Sequence, residues 1–427
     1  MDASDKEFIL TAIAHEEERL KKLTHEQEQA LSRIQTLRDK LLSYEAIGNV
    51  RELPAEYFKI SLTPKNSTEK VALFRSLFRG CEDVFPRLWI SRAGKKGYAP
   101  ACLNDWAAGV CGKTLTPPVK CGESSNRKFL PVTDQTILDH LQGRHIIGIY
   151  PMLENDTCWF LAADFDKESW MEDVHAFRET CRSMDIPIAV ERSRPGNGAH
   201  VWFFFTEAIS AAVARAMGCF LITETMSNCH QLSMESYDRL FPSQDMLPKG
   251  GFGNLIALPL QHESRQKGNT VFLDQDFKPY EDQWNYLASL RRVELATVHQ
   301  IASDAIQREK VLGMPRAITE DEGETTPWNR LPSRKALKEL ISGILPEKIH
   351  VVVSQQIFVE KKDLSSPLIN RIKRLAAFQN PEFYQKQNMR LSTALTPRVI
   401  TCFEELPDHL ALPRGCMDEL RGLLSDH

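Results

Sequence analysis

The sequence predicts an α+β fold centred on a split βαβ unit, and three observations predict it. The apolar run "TCWFLAADFD" (157–166) reads as a strand ending in two aspartates. Trp170, Val174, Phe177, Cys181 and Met184 then recur at steps of four and three, which gives one apolar helix face. Finally, "IPIAVERS" and "AHVWFFF" read as strands joined across "RPGNG", a hairpin signal. Strand, helix, strand, hairpin and strand make half of a ferredoxin-like or split βαβ arrangement.

At 427 residues the chain exceeds one ordinary core, so two or three domains are expected. A composition of 42% apolar and 26% charged residues is that of a soluble globular protein. The formal charge of −4 excludes a globally basic protein, so a polyanion would need cations gathered locally or held as metal ions. The acidic start "MDASDKEF" reads as neither a secretory nor a mitochondrial presequence. The most apolar run, around "HVWFFF", is far short of the roughly 18–20 residues of a membrane span. Ten cysteines without a secreted disulfide rhythm point to reduced thiols and a cytoplasmic chain.

Taken in order, residues 1–47 are expected to form a coiled-coil helix. Between 8 and 45, Ile13, Leu20, Gln27, Ile34 and Leu41 fall at one heptad position and Leu23, Ala30, Leu37 and Tyr44 at another. Self-association through this helix is one reading; packing along the protein's own body is the other. Residues 48–70 are linker-like, and "EKVALFRSLFRG" reads as an amphipathic helix. A domain is expected over 71–290, with a cysteine-rich insertion at 95–127. A helix and an acidic linker occupy 291–330. Residues 331–427 read as a mostly helical module with one strand candidate in "IHVVVSQQIFVE". Within it, "RIKRLAAFQNPEFYQKQNMR" interleaves Arg371, Lys373, Arg374, Lys386 and Arg390 with Phe378, Phe383 and Tyr384, a composition suited to single-stranded nucleic acid or simply to a basic helical domain.

The chemistry is concentrated in two stretches. Residues two apart on a strand share a face, so Asp164 and Asp166 project together and repel unless cations neutralise them. Mg²⁺ or Mn²⁺ takes carboxylate oxygens and keeps positions open for phosphate. The bland reading is a strand end whose Asp166 caps the next helix. "ERSRPGNGAHVW" (191–202) places Arg192, Ser193 and Arg194 before a glycine turn and His200 after it. Cation, hydroxyl and exposed N–H groups suit a triphosphate; singly, His200 could equally be a core histidine.

Together, "LAADFD", "ERSRPGNGAHVW" and "YDRLFPSQDMLPKGGFGNLIALPLQ" resemble the archaeo-eukaryotic primase–polymerase superfamily. Closest are the primases of TOTE conflict systems and their CRISPR-associated relatives. The resemblance implies an RRM-like catalytic palm, a smaller α/β lobe, and DNA-templated nucleotidyl transfer with two Mg²⁺ or Mn²⁺ ions, as in DNA replication. It implies a single-stranded DNA template, a primer and nucleoside triphosphates as partners. Asp164 and Asp166 match the first motif, Ser193 and His200 the second, and Asp238 the third, with Asp245 and Asp274 as rivals. Gln261, Arg265 and Lys267 match the segment beside the incoming nucleotide. In longer relatives the C-terminal region leads into a helicase, making a helicase a further partner; no Walker A signature occurs in this sequence.

The resemblance also implies a zinc-binding insertion, with Cys102, Cys111 and Cys121 as ligands of a structural Zn²⁺. Ser124 stands where relatives carry a fourth cysteine, leaving Cys81, His140, His145 or water to complete the site. A metal-dependent nuclease and a non-catalytic strand-binding or oligomerisation module are the rival functions.

Overall fold

The structure is a computed structural model that describes residues 63–91, 93–114, 117, 119, 121, 123–308, 310–314, 346 and 348–425. The expected coiled coil at 8–45 and the acidic connector at 318–329 lie outside these residues. Among the described residues no helix is long and apolar enough to cross a membrane.

Asn66 accepts the Glu69 N–H and opens α1 (Ser67–Leu77), which buries Val71, Phe74 and Leu77, the apolar face expected of this segment. A hairpin follows, with β1 (Pro86–Ile90) against β2 (Lys96–Pro100) and Trp89 opposite Gly97. Helix α2 (Asp134–Leu141) starts at a capping box built by Thr133 and Thr136. The strand expected across "HIIGIYPML" narrows to β3 (Gly148–Ile149).

The central layer runs β4 (Thr157–Phe165), α3 (Trp170–Ser183), β5 (Ala189–Arg192), β6 (Ala199–Ser210), α4 (Ala211–Asn228) and β7 (Leu240–Phe241). Next come β8 (Ile256–Ala257), paired with β3, then α5 (His262–Gln266), β9 (Phe272–Leu273), α6 (Gln283–Ala288) and α7 (Leu295–Gln307). The main sheet is antiparallel, in the order β7-β4-β6-β5-β9. Strand β6 is apolar without alternation because both of its faces are covered. Phe203 meets Phe177 of α3 at 6.0 Å on one side, while Trp202 and Phe204 meet Phe78 at 5.0 and 5.3 Å on the other.

The C-terminal region differs from the mostly helical expectation. It comprises β10 (Val351–Val353), β11 (Ile357–Glu360), α8 (Ser366–Leu375), β12 (Ala377–Gln379), α9 (Pro381–Asn388), β13 (Val399–Thr401), β14 (Glu404–Glu405), β15 (His409–Leu412) and α10 (Met417–Ser425). "IHVVVSQQIFVE" is two strands and a turn, and it joins the four-stranded sheet β10-β11-β15-β14. Ile357, Val359, Leu410 and Leu412 alternate inward there against Leu368, Ile369 and Ile372 of α8.

This region is not an independent module, since Ala377 and Val399 join the core of the central sheet. Four of the five basic residues named in this stretch have partners within the chain. Lys373 reaches Glu405 at 2.6 Å, Arg374 the Tyr237 hydroxyl at 3.0 Å, Lys386 Glu382 at 2.6 Å, and Arg390 Asp156 at 2.6 Å. Arg398 lies over the buried Phe383 ring, 4.3 Å from its centre.

Gly198 sets how closely the β5–β6 hairpin lies against the end of β4. A Cβ there would stand 2.5 Å from the Phe165 carbonyl oxygen and 3.1 Å from the Asp166 Cα. Gly198→Ala is therefore expected to destabilise the fold by about 1–3 kcal/mol, as for other overpacked sites. Chemical denaturation checks this; an unchanged midpoint would show that the hairpin is free to move away.

Candidate active site

The register of the central sheet assembles a polar site on its apolar scaffold. Asp164 pairs across the sheet with His200 of β6, and its N–H donates to the Arg239 carbonyl at 3.0 Å. Asp166 follows one residue beyond the strand. The two side chains are 22% and 45% exposed, so one carboxylate is half-sheltered and the other open to solvent. The Arg239 guanidinium spans them, bonding Asp166 Oδ2 and lying 3.5 Å from Asp164 Oδ2. Burial pushes the Asp164 pKa up and so does Asp166; His200 and Arg239 pull against them without restoring the ordinary value.

His200 is fixed from behind by a residue that the motif reading did not single out. Glu191, opposite it on β5 and only 1% exposed, takes His200 Nδ1 at 2.8 Å and accepts the Trp202 indole N–H at 3.0 Å. With Nδ1 held, Nε2 faces Asp164 Oδ1 at 3.8 Å. Burial alone would lower the His200 pKa, but Glu191, supported by Asp164, outweighs it and raises the pKa above the ordinary value. The available signal was a carboxylate within an otherwise apolar strand, placed by the hairpin register against the histidine.

The hairpin turn adds cations. Ser193 is buried and its N–H donates to the Gly198 carbonyl at 2.8 Å. Arg192 turns away, bonding the carbonyls of Gly268 and Phe277, so its role is structural. Arg194 pairs with no carboxylate among the described residues, and its own carbonyl is held by Asn269 at 3.1 Å. That contact brings the α5 segment beside the turn. Gln261 is buried and caps α5 through Ser264, so it is a structural residue here, while Lys267 at the far end of α5 is exposed and Arg265 half-buried.

Asp238 does not join the acid pair. Asp238 ends the 3₁₀ turn Met234–Asp238, and while the next residue, Arg239, reaches the carboxylates, Asp238 reaches the chain at 398. There it accepts the Arg398 backbone N–H at 2.9 and 3.1 Å. The rivals are also engaged elsewhere: Asp245 binds Arg215 at 2.9 Å, and Asp274 caps its own turn through the Asp276 and Lys278 N–H groups. None of the three is among the charges that shift Asp164.

Cys102, Cys111 and Cys121 do come together, lining one small hollow with Asp105 and Ser124. Among the described residues, however, no three His, Cys, Asp or Glu side chains converge as metal ligands. His140 cannot complete a zinc site: it is fully buried, both ring nitrogens are bonded, to the Pro259 carbonyl and the Ile147 N–H, and burial lowers its pKa to about 4. His145 and Cys81 do not line the hollow. As placed, these residues do not fit a closed zinc site, and no disulfide joins the ten cysteines.

A family comparison covers the stretch that carries this site. The model of the TOTE conflict system, Archaeo-Eukaryotic Primase domain, matches residues 69–301, more than half of the chain. The chain belongs to this family. No curated protein matches it. The primase domain spans α1 to α7 and contains the acid pair, Glu191, His200 and the turn. At the family level this is a primase–polymerase-type enzyme.

In this primase domain, Glu191→Gln is expected to lower the His200 pKa, measured by NMR titration of the metal-free protein. The folded-state pKa lies above the unfolded value of about 6.5. The contact's stabilisation is therefore complete below about pH 6.5 and is lost as pH rises through the folded value. An unchanged histidine titration in the variant would remove Glu191 from the site.

Proposed function

We propose that the chain is a DNA-templated nucleotidyltransferase, a primase–polymerase that joins nucleoside triphosphates on single-stranded DNA. The observation that carries this reading is the buried Glu191–His200 pair beside the Asp164–Asp166 carboxylates, with the Arg194 cation on the adjoining turn. The strand order β7-β4-β6-β5, with helices after β4 and β6, is what an RRM-like palm requires. The polar residues fall at one end of it.

Asp164 and Asp166 fit a divalent metal ion by donor chemistry: hard oxygens, shared face, and a cationic side chain already between them. Mg²⁺ is often held by one or two carboxylates, with phosphate oxygens and water completing its shell, so two acids suffice for the protein's share. When bound, such ions lower the pKa of an attacking hydroxyl and neutralise charge on the transferred phosphate. The chain's own groups do the rest. Glu191 holds the His200 ring with Nε2 outward, where its proton can be donated to a phosphate oxygen. Ser193, Arg194 and Lys267 bind and orient the triphosphate, and charge-assisted contacts of this kind strengthen as negative charge develops on leaving pyrophosphate. Residues 8–45 would associate copies of the chain through their heptads, and a helicase would supply the single strand.

The test is incubation with single-stranded template, labelled nucleotides and Mn²⁺, with and without primer. Extended products are expected, and Asp164→Asn combined with Asp166→Asn should reduce them by at least about 100-fold. Shortened template would favour a nuclease instead, and full synthesis by the double variant would remove the acid pair from catalysis.

A further inference from the structure

A second feature lies on the other face of the β1–β2 hairpin, away from the acid pair. An open groove of about 520 Å³ runs between this hairpin and the turn after α2, lined by Arg87, Trp89, Trp106, Arg144, His145 and Glu263, among others. Trp89 is 41% exposed and Trp106 64% exposed; among the described tryptophans these are the exposed ones. Their exposure is not incidental to packing. The Trp89 ring lies flat on Gly97 of the neighbouring strand, where a Cβ would stand 2.8 Å from the ring, so one face is supported and the other is open. Trp106 adopts a φ of 60°, which a bulky side chain rarely takes, and Lys113 sits 5.2 Å from its ring centre.

The electrostatics of the groove favour an anion. Arg87 shares the Trp89 face of β1 and has no carboxylate partner among the described residues. Arg144 is exposed, although bonded to Asp139. Of the groove's two acids, Asp105 is neutralised by Lys113 at 2.8 Å, which leaves Glu263. Open aromatic faces between cations are what an unpaired nucleic-acid strand uses, bases stacking and backbone following the charge. A duplex, with its bases already stacked, cannot use these rings.

We propose that this groove binds single-stranded DNA, with Trp89 and Trp106 as base-stacking platforms. The inference deepens the transferase reading and rests on it for the strand's role: the strand held here would be the one copied. The hairpin supplies the connection. Tyr98, on its opposite face, is half-buried with its hydroxyl beside Arg194, and the Arg194 charge works against the rise in phenol pKa that desolvation causes.

Fluorescence anisotropy with labelled oligothymidylate, in EDTA and at low ionic strength, tests it on the full chain. Trp89→Ala and Trp106→Ala should each weaken binding roughly 5- to 150-fold. Trp89→Phe and Trp106→Phe should retain most of the affinity, and all four should keep the wild-type thermal midpoint because the rings are exposed. Wild-type affinity in both Ala variants, equal affinity for duplex, or no binding by the wild type would each overturn the groove. The transferase reading fails separately: if the Trp variants lose binding but even the wild type extends no template, the groove stands and the catalytic proposal falls.

Discussion

Two carboxylates at the end of one strand must be reconciled with each other, and the neighbouring structure is arranged around that repulsion. Asp164 is sheltered enough for burial to raise its pKa, and Asp166 is close enough to raise it further. Two cationic groups answer them: Arg239, just before the neighbouring strand β7, and His200 from β6. A single deprotonated acid at this position would need no such framing. The pair is costly without positive charge, and Arg239 and His200 supply it here.

The fold supplies this arrangement through register rather than through loops. Antiparallel pairing places Asp164 against His200, and His200 against Glu191, so three polar residues from three strands line up across an apolar sheet. Trp202 donates to the same Glu191 oxygen, which ties the site to the aromatic core beneath it. Gly198 lets the hairpin approach the carboxylate strand at backbone distance. A second polar network, Arg215–Asp245–Gln387 with Arg398, locks residues 381–398 to the primase domain and takes up Asp238. Asp245 is held below the usual carboxylate range because Arg398 and Arg215 together outweigh its burial.

Much of the centre was legible in the sequence because its signals are local. The apolar run at 157–166, the helical spacing from Trp170 and the glycine turn at 195–198 each act over a few residues, and together they fix the register that joins Asp164 to His200. Glu191 and Arg239 escaped because each sits next to a more conspicuous residue, Arg192 or Asp238, and only the folded contacts show which of the two reaches the site. Asp238 was misplaced for the same reason: it ends a short 3₁₀ turn and bonds the Arg398 N–H instead of joining the pair. The C-terminal strands were hidden by short length and basic composition, and only the folded contacts show that Glu405, Tyr237 and Asp156 take up Lys373, Arg374 and Arg390. Trp89 and Trp106 carry no periodic signal, and their exposure is a tertiary property.

The central claim is that the Asp164–Asp166 pair is a cation site for which Arg239 competes. Electron paramagnetic resonance titration of Mn²⁺ into the nucleotide-free protein measures this directly, with Arg239→Met beside the wild type. Removing the competing guanidinium should tighten Mn²⁺ binding by about 10-fold, and replacing both acids with Asn in that background should abolish it. Unchanged or weaker Mn²⁺ binding in Arg239→Met, or full binding without the two carboxylates, would contradict the account.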